Sequence, residues 1–386
     1  MPALLQLLRY LEEILDPARQ NRIAELFADT LNWRPVKRLP LVLTYPHSKD
    51  SPFKPYPPGQ ARGNPEKMLC NELIHAFDSS IACRDVLDDD LPCTIRANFG
   101  TVIIASIFGA KVEQKGDNPP WVRPIGAGAF ERVLDCDPLD FSKGLCPKVV
   151  QTCKLYRQAL AEFPALRQCV KVVLPDLQGP LDVAEQLRGS AVYEDFYGSR
   201  DALFRVMRHI AEAQVGFAKY LQPHLSDGPN GYSHQHTAMI LGGILIRDDC
   251  AINISPVMYR EQVAPHDAFV LEALGGGGIH CCGKFQHLVE EFLALPAVKC
   301  IDFGQPELND VDAVYKSAAL RKIPLIRIRV REQELTDGHV LNRFPTGVTL
   351  VHHAESPKKA QQIIKAYKRA AENRGAASRV AGATYD

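Results

Sequence analysis

GGGGIHCCGKFQHLVEEF, residues 275–292, places four glycines, a histidine and two cysteines just ahead of a stretch of helical pattern. Glycine is a poor helix former and lets the backbone pass close to a neighbour. The stretch therefore reads as a short strand that ends in polar groups and hands over to a helix. His280 and Cys282 are two apart, so on a strand they project to one side while Cys281 projects to the other. Imidazole and thiolate on one side make half of a ligand set for zinc.

Seven further runs have the same design. LPLVLTYP (39–46), LPCTIRANFG (91–100), CVKVVLPDLQGP (169–180) and LGGILIRDDC (241–250) precede it; AVKCIDFGQPE (297–307), PLIRIRVRE (324–332) and GVTLVHHAES (347–356) follow. Segments of 3.6-residue periodicity lie between them, such as RDALFRVMRHIAEAQVGFAKYL (200–221). Eight alternating units predict an α/β fold, a single (β/α)8 TIM barrel, since no G-x-G-x-x-G opens a helix as a doubly wound sheet would require. In such a barrel the site is built from the carboxyl ends of the strands. Those ends supply Arg96 and Asn98, Asp176 and Gln178, Arg247, Asp248 and Asp249, His280 and Cys282, Asp302, and His352 and His353.

Residues 1–38 read as a helical extension covering the amino-terminal side of the barrel or a subunit contact, residues 39–374 as the barrel, and residues 375–386 as a flexible tail. VEQKGDNPPWVRPI (112–125) is expected as an irregular or hairpin excursion at the pocket mouth, with Trp121 partly covering it, because its Asn-Pro-Pro cannot continue a helix or central strand. Asp88, Asp89 and Asp90 read as a solvated run, His234 and His236 as packing residues on the amino-terminal side, and Tyr259 as a packing residue with a bonded hydroxyl.

Lys plus Arg and Asp plus Glu are equal at 45 each among 386 residues, so no global field recruits nucleic acid or an anionic membrane. No apolar run reaches the roughly 18 residues of a membrane span. Eleven scattered cysteines without a secretory leader fit reduced thiols in a cytoplasmic protein.

Several stretches together resemble the uroporphyrinogen decarboxylase superfamily, including its zinc-dependent methylcobamide methyltransferase branch: LQGPLDVAEQLRG, ILIRDDCAINISPVMYREQVAP, GGIHCCGKFQHLVEE, KCIDFGQPE and TGVTLVHHAESPKKAQQII. They occur in the family's order over residues 64–372. The resemblance implies a (β/α)8 barrel and, in the methyltransferase branch, zinc held by His-x-Cys and a distant Cys. His280 and Cys282 match the first pair; the distant position falls near Ala354, beside His352 and His353. The reading is a methyltransferase whose zinc, held by His280, Cys282 and His352 or His353, binds a small-molecule thiol, the methyl group coming from a corrinoid protein as partner. Asp248 or Asp249 would orient a ligating imidazole, with Arg96 and Arg247 in the catalytic pocket and Asn98, Gln178 and Asp302 toward the cofactor. A homodimer is compatible with this reading. Two alternatives stand beside it: a metal-free decarboxylase of a tetrapyrrole or other polycarboxylate anchored by Arg96 and Arg247, and a non-catalytic small-molecule-binding barrel. The family's arginine-rich segment after the first strand is here TYPHSKDSPFKPYPPGQARGNP, with Arg62 its one arginine.

Overall fold

The computed structural model describes residues 3–46, 51–77, 87–228, 231–235 and 237–382. All eight runs contain a strand with parallel neighbours. Six form one sheet in the order β1 (Leu41–Thr44), β12 (Val348–His353), β11 (Leu325–Arg329), β10 (Val298–Phe303), β9 (Gly277–Cys281), β8 (Ile244–Arg247). The other two, β2 (Thr94–Arg96) and β5 (Lys171–Val173), pair with each other. Two antiparallel hairpins, β3–β4 (Lys111–Glu113, Trp121–Arg123) and β6–β7 (Tyr232–Gln235, Ala238–Leu241), complete the strands among the described residues. The architecture is α/β around a central parallel sheet. A continuous ladder around all eight strands is not seen among the described residues.

The two junctions of the β2–β5 pair explain the break. Toward β8, one bridge joins Gln178 to Arg247, and the Gly179 N–H donates to the Arg247 carbonyl at 2.7 Å. Toward β1, side chains stand in for a strand. Leu41 N–H donates to Asp90 Oδ2 at 3.0 Å and Leu43 N–H to Asp89 Oδ2 at 3.1 Å, while Asp90 N–H donates back to the Leu41 carbonyl at 2.9 Å. Asp89 and Asp90 are therefore buried, at 1% and 2% exposure, and not the solvated run expected. Strand β2 begins only at Thr94, so without these carboxyl groups the β1 amides would be buried unpaired, which folded chains avoid. Arg38 pairs with Asp90, and Arg19 Nη2 lies 3.6 Å from Asp89 Oδ1.

Alternation along the strands separates two faces. Ile244, Ile246, Ile279, Cys281, Ile301 and Phe303 join the large outer core beneath the helices. Leu245, Cys300 and Ile326 join Val42 in a smaller inner cluster. That cluster is plugged by Ile23, Phe27 and Leu31, one face of α2 (Pro17–Leu31), and by Met239 and Ile240 of the β6–β7 hairpin. Helix α2 thus covers one end of the sheet. His234 sits in that hairpin with Nδ1 2.7 Å from Asp227 Oδ1, a satisfied packing histidine; His236 lies outside the described residues.

The β3–β4 hairpin confirms the excursion. Gly59 N–H donates to Asp117 Oδ1 and Arg62 Nη1 to the Asn118 carbonyl, both at 2.9 Å, so it rests on the short helix Pro58–Arg62. Trp121 is 47% exposed on this hairpin. The last helix runs Pro357–Gly382, so residues expected as a flexible tail from 375 are helical as far as Gly382, carried on by an alanine-rich sequence; residues 383–386 lie outside the described residues. No described helix is long and apolar enough to cross a membrane.

Candidate metal centre

The glycines of the opening stretch shape β9 before any ligand appears. Gly276 has φ +87°, and a Cβ on Gly278 would collide with Cys300 Sγ and Leu245 across the inner face. The thin strand places His280 in register with Arg247 on one side and Asp302 on the other. His280 and Cys282 both face inward, and Cys281 joins the outer core at 1% exposure.

Around His280 the polar groups converge. Nε2 stands 3.4 Å from Cys282 Sγ and 3.6 Å from Asp249 Oδ1, and the three ligand atoms all lie within 4.8 Å of one another. This is the one such group of three or more among the described residues. Bond lengths of about 2.0–2.3 Å around tetrahedral zinc put neighbouring ligand atoms roughly 3.3–3.8 Å apart, so the two distances from His280 suit that ion. Asp249 is further anchored by accepting the Cys282 N–H at 2.7 Å. A Cβ on Gly304 would come within 2.5 Å of Cys282 Sγ, so the β10 end must be bare here for the thiol to fit.

Behind His280, Nδ1 lies 2.6 Å from Asp302 Oδ2, and Asp302 is fully buried. Burial pushes its carboxyl up, but Arg327 and His280 outweigh burial and hold it well below the usual carboxylate range. An ionised carboxylate only accepts, so Nδ1 carries a hydrogen toward Asp302 and the ring turns Nε2 toward the inward cluster. Arg327 Nε donates to Asp302 Oδ1 at 2.8 Å, and its Nη2 donates to Oδ2. Burial and the Asp249 carboxylate push the Cys282 thiol up to about 12, so this thiol stays protonated near neutral pH unless a cation joins it.

The other sequence-derived candidates divide. Arg247 and Arg96 come together, but on Asp176: Arg247 Nη2 donates to Oδ1 at 2.7 Å, and Arg96 Nη1 is 3.5 Å from Oδ2. Asn98 Nδ2 donates to Glu72 Oε1 at 3.0 Å, and Gln178 Nε2 to Asp182 Oδ1 at 3.4 Å. Asp248 is not a pocket residue. Strand alternation turns it to the outer side, fully buried against the space left by Gly179, where burial and Asp267 push its carboxyl far up. Tyr259 donates to Asp267 at 2.7 Å, the bonded packing role expected of it.

His352 and His353 do not meet His280. His352 faces outward with Nδ1 2.8 Å from the Val330 carbonyl, and His353 Nδ1 is 3.1 Å from Thr44 Oγ1. Both line a separate cleft of about 610 Å³ with Glu307, Arg329 and Arg331. The third group beside His280 and Cys282 is Asp249, one of the two aspartates expected near an imidazole. Arg327 was not singled out from sequence.

No family model matches this chain, and no curated protein matches it. Among solved structures, its fold is similar to that of a methyltransferase from Methanosarcina mazei. The TM-score is 0.62 at 14% identity, over 91% of this chain and 98% of that one, a likeness that speaks for the fold.

Proposed function

We propose that the chain is a metal-dependent methyltransferase: a (β/α)8 barrel of the uroporphyrinogen decarboxylase type in which Asp249, His280 and Cys282 hold zinc and a small-molecule thiol is the acceptor. The separations of 3.4 and 3.6 Å among those three groups carry the reading. The likeness in fold to a methyltransferase and the sequence stretches that resemble the methylcobamide branch support it. A methylated corrinoid on a partner protein is the methyl donor that this resemblance implies.

When bound, zinc supplies the positive charge that lowers the pKa of a thiol at an open fourth position. The chain's own residues do the rest. Asp302 keeps the proton on His280 Nδ1 and so aims Nε2 inward. Asp249 ties its carboxylate to the Cys282 amide, fixing two ligands to one another. Arg96 and Arg247, balanced on Asp176, form a charged wall at the same strand ends.

The test is elemental analysis of protein purified without added metal, together with Cys282→Ser. One zinc per chain, lost in the variant, supports the reading. Wild-type protein that takes up no zinc even when it is supplied ends it.

A further inference from the structure

Arg327 stands at an irregularity in the parallel sheet. The register between β11 and β12 shifts between Leu325 and Ile328, and Arg327 has φ +58°, the left-handed region that non-glycine residues rarely occupy. Its amide donates to Thr349 Oγ1 at 2.9 Å, a side chain replacing the ladder carbonyl. Strict alternation from inward-facing Ile326 would send Arg327 outward with Leu325. The extra residue cancels the alternation, and the guanidinium enters the inner face instead. Left-handed backbone at a bulky residue is strained and persists where surrounding contacts over-determine it. Bulges of this kind re-aim side chains beside functional sites.

What the re-aimed side chain reaches is Asp302. Nε and Nη2 engage both carboxylate oxygens, a fork-to-fork geometry that fixes the carboxylate plane as well as its position. That carboxylate in turn bonds His280 Nδ1. Three adjacent strands therefore carry one line of contacts, Arg327 on β11, Asp302 on β10 and His280 on β9, ending at the Nε2 that faces Cys282 and Asp249. We infer that Arg327 is a positioning residue of the metal centre, its backbone bulge serving to lock the plane of Asp302 and, through it, the ring of His280. This rests on the metal-site reading above.

The experiment compares wild type, Arg327→Lys and Arg327→Met, each stripped of metal and titrated with zinc against a chromophoric chelator and with cobalt(II) by visible absorption. Lysine keeps the charge but donates from a single point, so it cannot hold both oxygens in one plane. Arg327→Lys is expected to weaken zinc binding on the order of 10–100-fold, the usual cost of losing an outer-shell partner, and to change the cobalt d–d bands. Arg327→Met is expected to weaken it at least as much. Thermal unfolding of the metal-free proteins shows which variants are folded, and the lysine variant alone suffices if the methionine variant is not. Unchanged zinc affinity and an unchanged cobalt spectrum in folded Arg327→Lys overturn the inference. Wild-type protein that binds neither ion overturns the metal centre itself, a separable result.

Discussion

His280 Nε2 lies 3.4 Å from the sulfur of Cys282, while the opposite ring nitrogen lies 2.6 Å from a fully buried carboxylate, Asp302. The ring is thus held between an ionised acceptor and a thiol whose own environment discourages ionisation. This polarity generates the first expectation.

In metal-free protein, Cys282 should alkylate slowly at neutral pH, its rate rising about tenfold per pH unit up to a pKa of about 12. Zinc should abolish this dependence by holding the sulfur as thiolate and shielding it. Peptide-resolved mass spectrometry after timed iodoacetamide treatment reads Cys282 apart from Cys281, which is buried and should stay unmodified. Fast labelling of Cys282 at pH 7 without metal contradicts the electrostatics described.

The ligand set makes a sharper demand. His352→Gln combined with His353→Gln should retain full zinc stoichiometry, because neither ring is in the cluster. Asp249→Asn should lower affinity by at least tenfold, since an amide oxygen is a weaker ligand than a carboxylate. The reverse pattern in a zinc titration would restore the ligand set that the sequence alone suggests.

Gly304→Ala tests the room left for the thiol. A Cβ 2.5 Å from Cys282 Sγ must push the sulfur away from His280. Zinc affinity should fall tenfold or more, while overpacking costs roughly 1–3 kcal/mol in urea unfolding. A variant that binds zinc as wild type does would show the sulfur to be free to move.

Asp89 gives a pH signature remote from the centre. Burial raises its carboxyl to about 7, against about 3.9 in an unfolded chain. Below pH about 4 it is protonated in both states; between about 4 and 7 the unfolded chain releases the proton and the folded chain retains it, so rising pH removes stability. Asp89→Asn keeps an oxygen to accept the Leu43 amide and has no such dependence. From pH 4 to 8 it should gain on wild type by roughly 2–4 kcal/mol in urea unfolding. Parallel stability curves would refute the raised pKa.

Much of this was legible before any coordinates. Period-two patterning located every parallel strand, and the spacing of His280, Cys281 and Cys282 assigned each side chain its face. Patterning failed where one residue upset the count. Three charges at 247–249 looked like one wall, yet alternation turns Asp248 away from its neighbours. The bulge at Arg327 has no sequence signature, because PLIRIRVRE alternates regularly and the shift depends on Thr349 of another strand. The expected place of His352 and His353 rests on analogy with a distant ligand position, and their register with Leu43 and Thr44 carries them elsewhere. Asp89 and Asp90 read as surface charge because their partners are two arginines and two strand amides far away in the chain.

That last arrangement alters what residues 1–38 are. Arg19 and Arg38 are the cations facing the carboxyl groups that stitch β1 to the segment before β2. A fragment beginning at Leu39 would have to enclose Asp89 and Asp90 with neither counter-charge present, and would lose the Ile23, Phe27 and Leu31 plug as well. Composition draws a border at residue 38, but cooperativity does not respect it. Trimming the extension should therefore yield an aggregating or unfolded chain and not a minimal domain, and any dissection of this protein into parts has to begin upstream of Arg19.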